Sequence, residues 1–431
     1  MSRQIHIDSV SEKNREQIMD ELQITIEGST FIYNSKPRYI YPIDVDGEYG
    51  YLPFAYARTC VGGPFVRPDK NNFSMINCKF EGTLREEQIQ IKKEAISQLN
   101  KYSSSLIAVY TGCGKTCMSI YIATKIKLKT MIITHRIVLI NQWKQAINKF
   151  CPNAKIQVLT AKSEMKECDF YIMNATNVTK HDREFYNDIG FVIVDEVHCI
   201  MAEGLSKCMQ MLLPRYVLGL SATPYREDGL NILLDLYFGK NRIERKLFRE
   251  HLVYKIQTSF QPTIELANNG KINWSVILDS QAKDIERNEM IVRLVKFFPD
   301  RVFLILCKRI DQGHYLVKRF QEEKEDVTSL IGKQQQYEQK SRILVGTASK
   351  TGTGFDHPRL DALILASDIQ SYFVQYLGRV FRRLDVIPII FDIVDKNPIL
   401  ERHYKVRSVS YMEHGGNIKY FANTFTDFEL I

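Results

Sequence analysis

The chain has 431 residues, of which 45% are apolar and 25% charged, and a formal net charge of +8. That length predicts two or three domains, and that balance excludes a disordered or fibrous chain. No run reaches the roughly 18–20 apolar residues of a membrane span, and the polar start lacks the apolar centre of a secretory signal, which predicts an intracellular protein without a membrane partner.

The nine cysteines contain no CxxC pair and suit reduced thiols better than a disulfide framework or a zinc site. Residues 1–81 are punctuated by Gly and Pro and rich in Tyr, Phe and Ile, as in FIYNSKPRYIYPIDVDGEYGYLPF, which predicts a small β-rich N-terminal domain. From residue 82 the texture changes. SLIAVY, KTMIITH, DFYIMNA, FVIVDE and YVLGLSATP read as strands buried on both faces. Amphipathic segments such as INQWKQAINKF and GLSKCMQMLLPR separate them. Residues 240–283 read as a charged, irregular connector. The rhythm then resumes with RVFLILCKR, SRILVGTA, DALILASD and PIIFDIVD. The predicted fold class is α/β, with parallel-sheet domains over residues 82–245 and 246–431.

TGCGKT lies between a strand-like and a helix-like segment, the setting of a phosphate cradle. Gly112 and Gly114 let the backbone approach phosphate oxygens, and Thr111 and Cys113 complete the loop. Lys115 would reach the β- and γ-phosphates, and the Thr116 hydroxyl would bind Mg²⁺. The strict signature has Gly where this chain has Val109, and a plain strand–turn–helix junction is the structural alternative. In FVIVDEVH, Asp195 would hold Mg²⁺ through water and Glu196 would orient and deprotonate the attacking water.

TGCGKT, DEVH, SATP and QYLGRVFRR, in that order, resemble motifs I, II, III and VI of superfamily 2 DExH-box helicases. The likeness spans about residues 82–410, and SATPYREDGL is most similar to XPB-like enzymes, with large-DNA-virus transcription helicases and the phage UvsW type as relatives. Val197 is a variation on the usual DEAH or DExH. The resemblance implies two tandem RecA-like domains, ATP and Mg²⁺ as cofactors, and an ATP-dependent motor. Its partner would be DNA, as a single strand or a junction of single and double strands, with RNA as the alternative track.

Carried over residue by residue, the resemblance makes Gln88 the adenine sensor, with Arg85 beside it. Ser221, Thr223 and His198 would couple hydrolysis to movement, and Arg226, in the RED tripeptide with Glu227 and Asp228, would touch nucleic acid. Arg382 would be the arginine finger, Arg379 its neighbour at the γ-phosphate, and Gln375 a link to the nucleotide. Gly354 and Asp356 would belong to a nucleotide-sensing loop. Thr134, Arg136, Thr176, Lys308, Arg309 and Thr347 would face the strand. The N-terminal domain would engage duplex, unless its Tyr and Phe are simply its own core. The family suggests 3′-to-5′ movement in DNA repair, recombination or transcription. The rivals are an RNA helicase and an ATP-switched remodelling factor that parts no strands.

Overall fold

The computed structural model describes residues 1–26, 38–60, 68–202, 204–222, 230–267, 270–334, 336–351, 357–370, 373–383 and 385–421. The chain divides into two compact units, Met1–Arg245 and Lys246–Ile431. Each is built round a seven-stranded, wholly parallel sheet. The first sheet runs Arg242–Arg245, Ser104–Val109, Tyr216–Ser221, Phe191–Val194, Thr130–Thr134, Phe170–Asn174, Ile156–Leu159.

Side chains alternate between the faces of a strand, so these apolar runs feed two cores at once. Leu106, Met131, Ile133, Val192 and Val194 pack on one face. Ile107, Ile132, Phe191, Ile193 and Leu218 pack on the other.

The front of the chain is part of the first of these cores. Ser2–His6, Tyr49–Pro53 and Asp44–Asp46 form an antiparallel three-stranded sheet. Met1, Leu22, Leu52 and Phe54 share a cluster with Leu106, Val192 and Tyr237. Arg3 stacks over Phe54 and donates to the Pro214 carbonyl, which fixes the small sheet to its neighbour. Tyr51 is buried while Tyr39, Tyr41 and Tyr49 are exposed, so the front aromatics serve both as core and as surface.

The second sheet runs Val327–Leu330, Ile343–Thr347, Phe303–Cys307, Ala362–Leu365, Ile389–Val394, His251–Gln257, Gly416–Phe421. Phe303, Ile305, Val345, Ile364 and Phe391 form its core. Beside it lies a buried polar network. Arg407 meets both oxygens of Asp392, at 2.8 Å each, and donates to Asp368 at 2.8 Å. Arg287, Gln281 and Thr258 all donate to Asp395. Every carboxylate buried there has a cation or donor, as the cost of leaving one unpaired requires.

Two expectations differ from the structure. The stretch 240–283 is no irregular connector: it holds strands Arg242–Arg245 and His251–Gln257 and the helix Trp274–Lys283. GLSKCMQMLLPR forms only the short 3₁₀ turn Ser206–Gln210, with Cys208, Met209 and Leu212 packed in the core.

Candidate nucleotide and nucleic-acid site

In a parallel sheet all strands end on one edge, and residues just beyond those ends meet there. The segment 110–116 follows Ser104–Val109, Ser221 ends the next strand, and Asp195 and Glu196 follow the one after. Gly112 and Gly114 both have φ +92°, which a glycine adopts freely. Gly114 caps the helix Lys115–Ile126 from that left-handed conformation, so the loop backbone turns directly into a helix N-terminus. The Lys115 ammonium donates to the Val109 carbonyl at 2.9 Å and to Tyr110 at 3.4 Å. Thr111 and Thr116 are half-buried and Gly112 is exposed.

The loop is tied from behind. Arg85 donates to the carbonyls of Gly112 (3.0 Å) and Cys113 (2.6 Å), and the Gln88 amide N–H donates to Cys113 at 2.8 Å. The other end of the Gln88 side chain accepts from the Arg85 N–H at 2.9 Å, closing a capping box on the helix Glu86–Tyr102. Gln88 is thus buried and committed to the loop, whereas Arg85 is exposed. The Cys113 side chain joins the core, and burial pushes its thiol up to about 11. The whole residue is buried, its carbonyl taken by Arg85 and Gln88.

Asp195 is buried, and desolvation together with the neighbouring Glu196 carboxylate raises it to about 6, against the pull of Trp143 and Lys115. Its Oδ2 accepts from the Trp143 indole at 2.8 Å and its Oδ1 from the Glu196 N–H at 3.0 Å. Glu196 has φ +47° and ψ +52°, a left-handed conformation costly for a side-chain-bearing residue and concentrated at functional sites. His198 Nδ1 lies 2.9 Å from Ser221 Oγ and 3.5 Å from Glu196 Oε2, joining motifs II and III through one imidazole.

The next two strands along the edge end at Thr134 and Asn174. Arg136 and Thr176 are exposed there, and Asn174 holds Thr176 by accepting from its N–H and hydroxyl. Thr134 is fully buried and offers a ligand no side-chain surface, its hydroxyl donating to the Arg136 carbonyl at 3.3 Å.

In the second unit, Lys308 is exposed after Phe303–Cys307. Arg309 is engaged by Asp279 at 2.6 Å and by the Ser275 carbonyl at 3.0 Å, so it is no free cation on the surface. Thr347 ends its strand buried. The helix Phe373–Val380 carries Gln375 and Arg379, both buried, and Arg382 follows it half-buried. Desolvation holds the Arg382 guanidinium below its ordinary value. Arg383 is spoken for by Asp361 and Asp385. Thr223, Arg226, Gly354 and Asp356 lie outside the described residues.

A family model described as "Type III restriction enzyme, res subunit" matches residues 81–226. "Putative helicase 161L" of Invertebrate iridescent virus 6 is 39% identical over 446 residues, covering 97% of this chain and 99% of that protein. The chain belongs to the superfamily 2 helicases and is related to those of large DNA viruses. As a member it is a nucleic-acid-dependent ATPase of the helicase class. This helicase is also 27% identical over 286 residues to "DNA 3'-5' translocase XPB2" of Sulfurisphaera tokodaii, spanning 65% of this chain and 58% of that one. Among solved structures, S. cerevisiae Dbp5 bound to RNA and ADP BeF3 matches with TM-score 0.54 and 12% identity over 77% of this chain and 89% of its own, a likeness of fold.

Three residues at this helicase's sheet edge were not evident from its sequence. Trp143 was legible only as an apolar position on an amphipathic helix. Asn174 was legible only as the polar end of the strand-like DFYIMNA. His135 follows a buried strand, and its ring nitrogens, buried with no hydrogen-bond partner among the described residues, lie in the field of Arg136, Glu196 and His198.

The donor set fits Mg-ATP. Hydroxyl and carboxylate oxygens suit a hard cation that takes its remaining ligands from water and phosphates. Among the described residues no group of three or more His, Cys, Asp or Glu could hold a metal alone. No helix among them is long and apolar enough to cross a membrane.

Proposed function

We propose that this helicase is a DNA translocase that couples hydrolysis of Mg-ATP to 3′-to-5′ movement along one strand. The supporting observation is the order of strand ends on the first sheet: the glycine loop, Ser221 and Asp195 stand together, and the exposed Arg136 and Thr176 follow on the next two strands. Nucleotide and track thus have separate stretches of one edge, joined by a rigid sheet.

In this reading the N–H groups of residues 112–116 and the Lys115 ammonium receive the phosphates, and Thr116 and Asp195 hold the metal. Mg²⁺, when bound, neutralises phosphate charge during the transfer. Glu196 orients the attacking water and takes its proton, and the strained backbone there fixes the carboxylate's direction. Arg382, with Arg379, supplies positive charge to the transferring phosphoryl group, and its poorly hydrated setting leaves that attraction less screened. Gln375 contacts the nucleotide. His198 and Ser221 carry the change between the hydrolytic residues and the motif III loop. Arg136, Thr176 and Lys308 contact phosphates of the strand, and the exposed Tyr39, Tyr41 and Tyr49 offer a stacking surface for duplex or junction.

The relative named a DNA translocase supports DNA as the track, and a viral relative named an ATP-dependent RNA helicase supports the RNA alternative. The test is ATPase stimulation by single-stranded DNA and RNA of equal length, followed by displacement on duplexes tailed at either end. Stronger stimulation by DNA and displacement only from a 3′ tail are expected. Equal or greater stimulation by RNA would establish the RNA helicase instead, and stimulation without displacement would favour the remodelling factor.

A further inference from the structure

The chain has two tryptophans, and one of them, Trp143, is 1% exposed with its ring in the core of the first unit. An indole N–H can only donate, so a buried one needs an acceptor. This one is given the carboxylate of Asp195, at 2.8 Å to Oδ2, although a backbone carbonyl would satisfy it equally well. The Glu196 N–H takes Oδ1 at 3.0 Å. The carboxylate is therefore pinned at both oxygens by donors on two different elements: a helix, Ile137–Phe150, and its own chain. Neither donor can rotate away. Leu139, Ile140 and Ile147 anchor the helix in the same core as the indole. Each oxygen keeps a lone pair for a further partner.

We infer that Trp143 is a positioning residue for the metal site: its indole N–H sets the rotamer in which Asp195 meets the metal–nucleotide complex. This rests on the reading that Asp195 serves the metal. A purely structural tryptophan would contribute its ring alone, and a phenylalanine would replace most of that contact. The N–H is the part phenylalanine lacks.

The experiment uses the full chain, with Mn²⁺ as the probe and ADP bound, free Mn²⁺ being read by electron paramagnetic resonance. Partners that orient a metal ligand typically contribute 10–100-fold in metal affinity, and Trp143→Phe is expected to weaken Mn²⁺ binding by about that factor. Metal-free ADP affinity and cooperative unfolding should be retained. Unchanged Mn²⁺ affinity in folded Trp143→Phe, while Asp195→Ala loses the ion, would overturn the inference alone. Wild-type Mn²⁺ affinity in Asp195→Ala would overturn the metal reading and this inference together. A second measurement needs no change at Trp143. In Trp274→Phe, Trp143 is the only indole, and paramagnetic Mn²⁺ added with ADP should quench its emission. Emission that stays constant through saturation would place the ion away from the indole and refute the inference.

Discussion

Gly114→Ala isolates the conformation on which the phosphate loop depends. At φ +92° a side-chain-bearing residue costs about 1–2 kcal/mol relative to glycine. The added methyl would also collide with Gln88 Nε2, although it would only touch Arg85 Nη2, at 3.5 Å. Gln88 is buried and holds two hydrogen bonds, to the Cys113 carbonyl and from the Arg85 N–H, so it cannot swing into solvent without losing both. Two such bonds contribute about 1–3 kcal/mol together, which brings the expected destabilisation of the first unit to about 2–5 kcal/mol. Urea unfolding of the wild type, Gly114→Ala, Gln88→Ala and the double variant separates these contributions. With Gln88 truncated, the glycine substitution should cost only the backbone part, leaving a coupling of about 1 kcal/mol or more. An equal cost for Gly114→Ala in both backgrounds would show that Gln88 does not brace the loop.

Three further outcomes are expected. Glu196→Gln should retain ATP binding, measured by equilibrium titration, while turnover falls by orders of magnitude; normal turnover would remove the assigned base. Burial and Arg136 lower His135 to about 4 from its ordinary 6.5, so the unfolded state binds the proton first as pH falls. Its stabilising contribution is therefore complete above pH 6.5 and is lost progressively towards pH 4. Down to pH 5 the loss is at most about 2 kcal/mol, nearer 1 after allowance for partial exposure, and His135→Phe should flatten thermal stability over that range. Arg407→Ala leaves the buried Asp392 carboxylate, among the described residues, with the Tyr411 hydroxyl as its one side-chain donor, and should destabilise the second unit by about 3–5 kcal/mol in urea. Arg407→Lys should recover only part, because an ammonium cannot make the two-pronged contact.

The central strands of both sheets were legible in the sequence because burial on both faces leaves uninterrupted apolar runs. FVIVDE, for instance, becomes Phe191–Val194 with its acids beyond the strand end. Edge strands were not. Arg242–Arg245 pairs on one side only, so RIER carries charge that a central strand would exclude. His251–Gln257 lies inside its sheet, but His251, Lys255 and Gln257 break the apolar run and hid it in a charged stretch. At the site, residue types and spacing identified the glycine loop and the acidic pair, since phosphate and metal chemistry demand those groups. Contacts between distant segments left no such trace. The commitment of Gln88 to Cys113 and the bond from Trp143 to Asp195, 52 positions apart, depend on how elements pack. The burial of Thr134 likewise follows from its place at the inner end of a strand, which a motif cannot report.

The most direct measurement is the rate of ATP hydrolysis by the full chain with and without a single strand of DNA, in the wild type and in Lys115→Ala. Hydrolysis that rises with the strand in the wild type and vanishes in the variant is the predicted result. Hydrolysis that ignores both the strand and the loss of the lysine would mean that the glycine loop is not the seat of a nucleic-acid motor.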